Sequence, residues 1–337
     1  MSPHPLLPRL GQLALASATL LAAACGGDDG NAAPDGGIDA MLGDPNIFVG
    51  QFTVDLVPPV AATATSPAVD GFTAVLGVVL DKPQPQAIIW DVTLTEGACV
   101  LRLPRVPFCG TPCGGSAVCV ADDTCDRYGA KQDVGTIHAR GLTTSTGATE
   151  YDLTLLAGNY QTPGAVRLTY PAFAPGGAVE LAAAGSAFTP AFTLTGTGIS
   201  PLQLTSPDPA LARNQATTLT WNQPVGGGTS RIWLQLDISH HGGSKGRIEC
   251  DAPDTGSLTL SATIMTQLLD LGAAGFPTVI VIRESTSSAL VTSGRVDLVL
   301  SSKVERPVTV PGVSSCTDDE QCTPPQTCQA DLTCRAP

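Results

Sequence analysis

Cysteine spacing is the feature that most constrains this fold. Near the C-terminus, five residues separate each cysteine from the next at Cys316, Cys322, Cys328 and Cys334. Cys113, Cys119 and Cys125 repeat the spacing in mid-chain after Cys109. The segments VCVADDTC and TCQADLTC, which end at Cys125 and Cys334, align residue for residue around their cysteines. Segments this short cannot build a hydrophobic core, so we predict two small modules held by disulfides.

Disulfides are favoured over zinc in these modules, because structural zinc sites usually contain close C-x2-C pairs. If each module forms two internal bridges, Cys99 and Cys250 remain. Three arrangements are then open. In the first, the two cysteines form a disulfide that joins the β-strand-rich blocks in the first and second parts of the chain. In the second, Cys99 joins the central module with a different pairing. In the third, Cys250 stays a buried free thiol.

The N-terminus predicts export. Residues 10–24 are apolar or small apart from one Gln, one Ser and one Thr, and Arg9 precedes them. This length fits the apolar region of a signal peptide and is short of a membrane-spanning helix. The run Leu-Leu-Ala-Ala-Ala before Cys25 resembles a bacterial lipoprotein signal, with Ala22 where that pattern usually has Leu. We therefore predict cleavage before Cys25 and lipidation of that cysteine, with an ordinary secretory signal as the alternative.

Cysteine parity favours lipidation. The chain has 11 Cys, so removing Cys25 leaves ten, an even number that can pair fully in an oxidising compartment. Lipid on Cys25 makes the membrane a partner. By resemblance to lipoprotein sorting in envelope bacteria, Gly26 after the cysteine implies the outer membrane, with the protein facing the cell surface or the periplasm. Residues 1–24 are thus predicted as the signal peptide.

Residues 25–46 are predicted to be a disordered acidic tether. They contain five Asp among Gly, Ala, Asn and Pro, and no Lys or Arg. Such a segment cannot bury apolar surface. A calcium loop is not predicted here, because the pattern lacks its closing Glu.

Composition favours an all-β protein and excludes a nucleic-acid partner. Charged residues make up 14%, Gly 36 and Pro 28 are frequent, and short β-branched runs lie between turn signals. The net charge is −13 with only 17 Lys and Arg, so the basic surface that binds phosphates is lacking. We predict immunoglobulin-like β-sandwich domains at 47–198, containing the Cys-rich insert 99–128, and at 199–310, followed by a Cys-rich module at 311–337.

Individual elements follow from the pattern. We predict strands at 48–56, 72–80, 87–94, 100–103, 134–139, 151–157, 166–170, 179–183 and 188–195, and then at 217–221, 231–239, 246–250, 257–260, 278–284 and 294–304. Trp221, Trp233 and Leu234 are predicted to fill the second core. One helix is predicted at 261–272, with Ser261 as its N-cap and Gly272 as its stop.

The cysteine pattern resembles a known group of proteins. The C-terminal C-x5-C-x5-C-x5-C run is similar to the Cys-rich repeats, akin to the Dickkopf N-terminal type, of uncharacterised surface lipoproteins from myxobacterial-type bacteria. The segments 106–125, 188–204, 219–221 and 248–260 are also similar to that family. The resemblance implies a surface lipoprotein and carries no catalytic activity, so it bears on fold and location.

No sequence motif indicates catalysis, a cofactor or a metal. There is no G-x-S-x-G, H-E-x-x-H, P-loop or dinucleotide motif. The candidate binding residues are His240, His241, Lys245 and Arg247 in a Gly-rich loop. A polar hairpin without a ligand is favoured there, and an anionic or glycan ligand is the alternative.

The sequence therefore predicts a lipid-anchored, exported protein with a structural, display or binding role, and not an enzyme. A carbohydrate- or protein-binding adhesion module is the second hypothesis, with an envelope or extracellular protein or glycan as partner. A hydrolase built from distant loops is the third. Exposed aromatic residues would favour the glycan hypothesis.

Overall fold

The computed structural model describes residues 43–62, 67–226 and 229–336. The predicted signal peptide, Cys25 and most of the predicted tether lie outside the described residues. The described residues form twenty strands: β1 Phe48–Val57, β2 Phe72–Val79, β3 Ile89–Glu96, β4 Cys99–Arg105, β5 Ala117–Ala121, β6 Thr124–Arg127, β7 Ile137–Arg140, β8 Glu150–Asp152, β9 Thr154–Leu156, β10 Asn159–Gln161, β11 Ala178–Ala183, β12 Phe192–Thr197, β13 Thr217–Thr220, β14 Arg231–Asp237, β15 Arg247–Pro253, β16 Ser257–Leu260, β17 Thr278–Val291, β18 Gly294–Pro307, β19 Thr327–Cys328 and β20 Cys334–Arg335.

Ten strands form one large sheet in the order β3-β4-β15-β14-β17-β18-β1-β2-β10-β9. Its centre is the long hairpin β17–β18, in which Thr278 pairs with Pro307 and Val291 with Gly294. β1 pairs with β18 in parallel and with β2 in antiparallel fashion. The first and the last strand of this sheet along the chain are therefore neighbours.

A second sheet, in the order β12-β11-β7-β8, packs on one half of the large sheet. Gly196 of β12 allows this close approach, because a Cβ there would lie 3.1–3.3 Å from Leu298 and Leu300 of β18. Phe52 and Tyr160 are buried in the same core, with ring centroids 5.8 Å apart. The sheets thus form a two-layer sandwich, which confirms the predicted all-β class.

The other half of the large sheet is covered by the two-stranded antiparallel sheet of β13 and β16 and by the helix α1, Ala262–Asp270. The predicted cap is confirmed, since Ser261 Oγ accepts a hydrogen bond from the Ile264 amide. Ile264 and Leu268 are fully buried on the sheet. Gly272 has φ +81°, the left-handed conformation that ends helices.

The two predicted β domains share one sheet. Strands from both 47–198 and 199–310 belong to the ten-stranded sheet, through the β1–β18 and β4–β15 pairs. Each half has its own hydrophobic cluster. The prediction of two separate sandwiches therefore needs correction, because hydrogen bonds of the sheet continue across the predicted boundary.

Two further expectations are wrong. Trp233 does not join the buried core with Leu234, because neighbouring residues of β14 point to opposite faces; Leu234 is fully buried and Trp233 is half-buried. Residues 166–170 form no strand and contribute only the isolated bridge between Leu168 and Thr144. Trp221 is buried as predicted.

Candidate functional site

The predicted binding loop connects β14 to β15 and is closed by its own hydrogen bonds. Asp237 Oδ1 accepts bonds from the Ser239 amide at 2.8 Å and the Ser239 hydroxyl at 3.0 Å. Ser239 Oγ in turn accepts a bond from the Lys245 amide at 3.0 Å. These bonds fix the base of the loop, and Ser239 is buried.

The loop also packs against two other segments. The amides of Ala274 and Phe276 donate to the carbonyls of Ile238 and His240 at 2.9 and 2.8 Å. The Gly275 amide donates to the carbonyl of Asp331 in the C-terminal module at 2.7 Å. Gly242 lies against the same carbonyl, since a Cβ there would meet it at 2.7 Å. The loop is thus part of a structural junction with the C-terminal module.

The two histidines lie side by side. Their ring centroids are 4.0 Å apart, and His241 has φ +65°, so the chain turns at this point. In the described part of the chain, the only sets of three metal-ligating atoms within 4.8 Å of one another are cysteine sulfurs. All of those sulfurs are in disulfides and offer no thiolate to a metal.

Arg247 is the first residue of β15 and is buried, so it does not belong to the loop. Its guanidinium carbon lies 3.8 Å from the Trp90 ring centroid, and one of its terminal nitrogens lies 2.5 Å from Glu249. Arg102 approaches the other Glu249 oxygen at 2.6 Å and donates to the Trp90 carbonyl at 3.1 Å. Burial lowers the pKa of Arg247 and Glu249 opposes that effect.

This arrangement separates the predicted basic residues. Arg247 is buried against Trp90, whereas Lys245 is exposed. Only Lys245 of the two cations can reach a ligand without breaking an existing contact. The geometry therefore favours the predicted polar hairpin over a convergent anion site.

All ten cysteines other than Cys25 form disulfides. Cys99 forms a disulfide with Cys250. The two residues lie opposite each other on β4 and β15, with Cα atoms 4.0 Å apart. Of the three arrangements left open by the sequence, the structure has the one in which this bridge joins the two β blocks. The remaining bridges are Cys109–Cys119, Cys113–Cys125, Cys316–Cys328 and Cys322–Cys334.

The two modules share one construction. In each, the first cysteine pairs with the third and the second with the fourth. Each module ends in a short hairpin, β5–β6 or β19–β20. The last two cysteines lie opposite each other on the two strands of this hairpin, although they are not bonded to each other. Asp123 and Leu332 occupy the same position of the two turns, and both have φ near +60°. The repeat detected in the sequence is therefore also a repeat of structure.

The acidic residues of the modules act within them. Asp122 and Asp123 accept the amides of Phe108 and Gly110 at 3.0 and 2.8 Å. Asp319, in a short 3₁₀ turn Asp319–Gln321, accepts the Cys328 amide at 2.7 Å. These carboxylates are thus used to hold the loops in place of the core that the modules lack.

The sequence did not reveal two charged clusters. Arg283 is fully buried and its Nε lies 2.5 Å from Asp254 Oδ2, while Trp221 Nε1 donates to Asp254 Oδ1 at 2.7 Å. His138 lies 2.7 Å from Asp152 and 3.3 Å from Glu150, and both carboxylates raise its pKa. An arginine inside the apolar run TVIVIRE was the only sequence signal for the first cluster.

Among the described residues, the exposed aromatic side chains are Phe72 at 49%, Phe108 at 75% and Tyr128 at 49%. Within the described residues, no helix is long and apolar enough to cross a membrane. The chain matches no protein-family model and no curated protein.

Proposed function

We propose that this protein is an exported lipoprotein, held on the outer membrane by lipid on Cys25. Its disulfide-linked β structure, formed by the described residues between 43 and 336 and called the body below, is displayed for binding. The observation that carries the proposal is the complete pairing of the other ten cysteines. Cys25 has no partner cysteine left in the chain. Five disulfides also favour an oxidising compartment, since they do not persist in a reducing cytosol.

A non-enzymatic role fits the parts of the surface that the sequence singled out. The Gly-rich loop is hydrogen-bonded to Ala274 and Phe276, between which Gly275 bonds to the C-terminal module. Arg247 contacts Glu249 and Trp90. The acidic groups of the modules bind backbone amides. Each of these groups has a structural task, which supports display or binding in preference to a reaction.

Adhesion to a glycan or a protein is the second candidate. The observation that favours it is the exposure of Phe72, Phe108 and Tyr128, because aromatic faces at a surface are typical of binding sites. The disulfides keep Phe108 in place, since its carbonyl accepts the Asp123 amide at 2.9 Å inside the central module.

Lipidation is tested by metabolic labelling with an alkyne-tagged fatty acid, comparing the wild type with Cys25→Ser. We expect the wild type to take up the label and to enter the detergent phase on phase separation, and the variant to do neither. A Cys250→Ser variant is the control, because it changes a cysteine of the body and leaves the signal intact. Equal labelling of wild type and Cys25→Ser would overturn the proposal.

Display is tested by protease treatment of intact cells and mass spectrometry of released peptides. Peptides from Phe48 to Arg335 would place the body outside the cell. Release only after the envelope is opened would place it in the periplasm and direct the search to envelope partners.

A further inference from the structure

A groove of about 330 Å³ lies between the first half of β2 and the chain from Gln161 to Leu168. Phe72, Val75, Gln161, Pro163, Val166 and Arg167 contribute to its walls. This volume falls in the range of sites that bind small ligands or short peptides. The groove is separate from the loop, the modules and the Arg247 cluster described above.

One wall of the groove is an open strand edge. β1 pairs with β2 along all of Phe72–Val79. On the other side, β10 pairs with β2 only at Gly77 and Leu76. Among the residues that the structure describes, no strand therefore lies beside the edge from Phe72 to Val75 on the groove side. Such an edge presents backbone donors and acceptors that an extended peptide can satisfy by adding a strand.

The groove has the opposite charge to the protein as a whole. The chain has 30 Asp and Glu against 17 Lys and Arg, yet the described residues that line the groove include no acidic side chain and one cation, Arg167. No carboxylate of the described residues forms an ion pair with Arg167, whereas most arginines of the described chain are paired. An available guanidinium in an apolar groove is suited to an acidic group.

The apolar part of the groove is accessible. Phe72 is 49% exposed, and Val166 and Leu168 are partly exposed. In an added strand, alternate side chains point to the same side, so an apolar residue can contact Phe72 or Val166 while the acidic one faces Arg167. Strand edge, apolar wall and cation together define the chemistry of the occupant.

We propose that this groove binds an extended peptide of a partner protein, which pairs with β2 between Phe72 and Val75 and places an acidic side chain against Arg167. This inference deepens the proposed binding role and rests on it. The peptide backbone supplies hydrogen bonds, and the acidic and apolar side chains supply selectivity.

The test uses an array of blocked hexapeptides with Asp, Glu, Asn or Gln at the third position and varied apolar or Thr residues elsewhere. The full chain is purified from membranes in detergent. Fluorescence anisotropy then gives the Kd of the tightest-binding acidic peptide and that of the same peptide with Asn in place of Asp, or Gln in place of Glu. We expect the acidic peptide to bind at least about fivefold tighter, the gain of a charge-assisted hydrogen bond. In Arg167→Gln this preference should disappear.

Arg127→Gln is the matched control, because Arg127 is exposed on the central module and also forms no ion pair with a described carboxylate. It should keep the preference. Binding should also slow hydrogen exchange at the amides between Phe72 and Val75 that face the groove, because these amides gain partners, whereas the alternate amides face β1. Phe72→Ser should weaken the binding of all the peptides. Because the Phe72 side chain is about half exposed, unfolding of the variant would not explain that loss.

Three results would overturn the inference: no hexapeptide binds, the acidic preference persists in Arg167→Gln, or exchange in Phe72–Val75 is unchanged on binding. Binding of an oligosaccharide of acidic sugars that leaves exchange in β2 unchanged would assign the groove to glycans instead. Because lipidation and display are measured on cells, failure of peptide binding is distinguishable from failure of the proposed function.

Discussion

The buried pair Arg283–Asp254 should be the most sensitive point of the body. All three nitrogens of the Arg283 guanidinium donate hydrogen bonds. Nε donates to Asp254, one terminal nitrogen to Ser200 Oγ at 3.1 Å, and the other to the Asn222 carbonyl at 2.5 Å. Both side chains of the pair are essentially inaccessible to water.

Asp254→Asn removes the counter-charge and leaves Arg283 charged in the interior. Breaking such a pair costs about 3–5 kcal/mol, because the remaining charge is neither hydrated nor neutralised. For a domain with a free energy of unfolding of about 5–15 kcal/mol, this is a large fraction. At roughly 2 °C per kcal/mol for a body of this size, Tm should fall by about 6–10 °C.

The assay is equilibrium urea unfolding with the disulfides intact, followed by tryptophan fluorescence. Asp270→Asn is the matched control, because the pair Arg213–Asp270 has a similar distance of 2.9 Å but more than half of each side chain is exposed. That control should cost less than about 1 kcal/mol. High salt should weaken the exposed pair and leave the buried one unchanged.

The double variant Arg283→Met with Asp254→Asn completes the test. Removing both charges should be less destabilising than Asp254→Asn alone, because no unpaired charge remains. The reasoning is refuted if Asp254→Asn costs no more than Asp270→Asn, or if the double variant is destabilised by the sum of the single changes.

Three further predictions concern other parts of the body. The pKa of His138 should lie above 6.5 by NMR titration and return toward it in Asp152→Asn; its contribution to stability is present below pH 6.5 and lost as pH rises through the raised pKa. Gly77→Ala should lower the free energy of unfolding in urea by about 1–3 kcal/mol, because a Cβ there would lie 2.0 Å from the buried Phe52 ring. Gly115→Ala should leave it unchanged, because a Cβ there would have no atom within 4 Å. Replacing Cys99 and Cys250 by Ala should cost at most about 5 kcal/mol, as chain entropy gives for so long a loop, and an unchanged urea midpoint would contradict this.

Local structure was predictable from the sequence because its determinants are local. The helix was recognised from Ser261, Gly272 and the spacing of apolar residues, and the strands from alternation and turn residues. The prediction that Trp233 and Leu234 both fill the core was wrong for an equally local reason, since two neighbouring residues of a strand point to opposite faces. The disulfide partners of Cys99 were left open, because spacing alone does not determine which strands are adjacent.

Long-range contacts were not predictable in this way. The pairing of β1 with β18 depends on strand order in the sheet, which no local pattern encodes. Arg283 lies in a run that predicts an apolar core strand, and its partner Asp254 comes from a distant turn. The Gly-rich loop was selected for its residue types, but the close approach of Gly242 to the Asp331 carbonyl depends on where the C-terminal module docks.

The parallel pairing of β1 with β18 has a consequence for the export proposed above. A chain exported in that way would emerge with its N-terminus first, so β1 would enter the new compartment before almost all of the described residues. One edge of β1 then stays open until Gly294–Pro307 has followed, and such distant pairings form slowly. During that interval the open edge can join other chains in aggregates. A chain truncated before Gly294 keeps β1 and β17 without their shared neighbour, so we expect no N-terminal fragment of this protein to fold ahead of the complete chain.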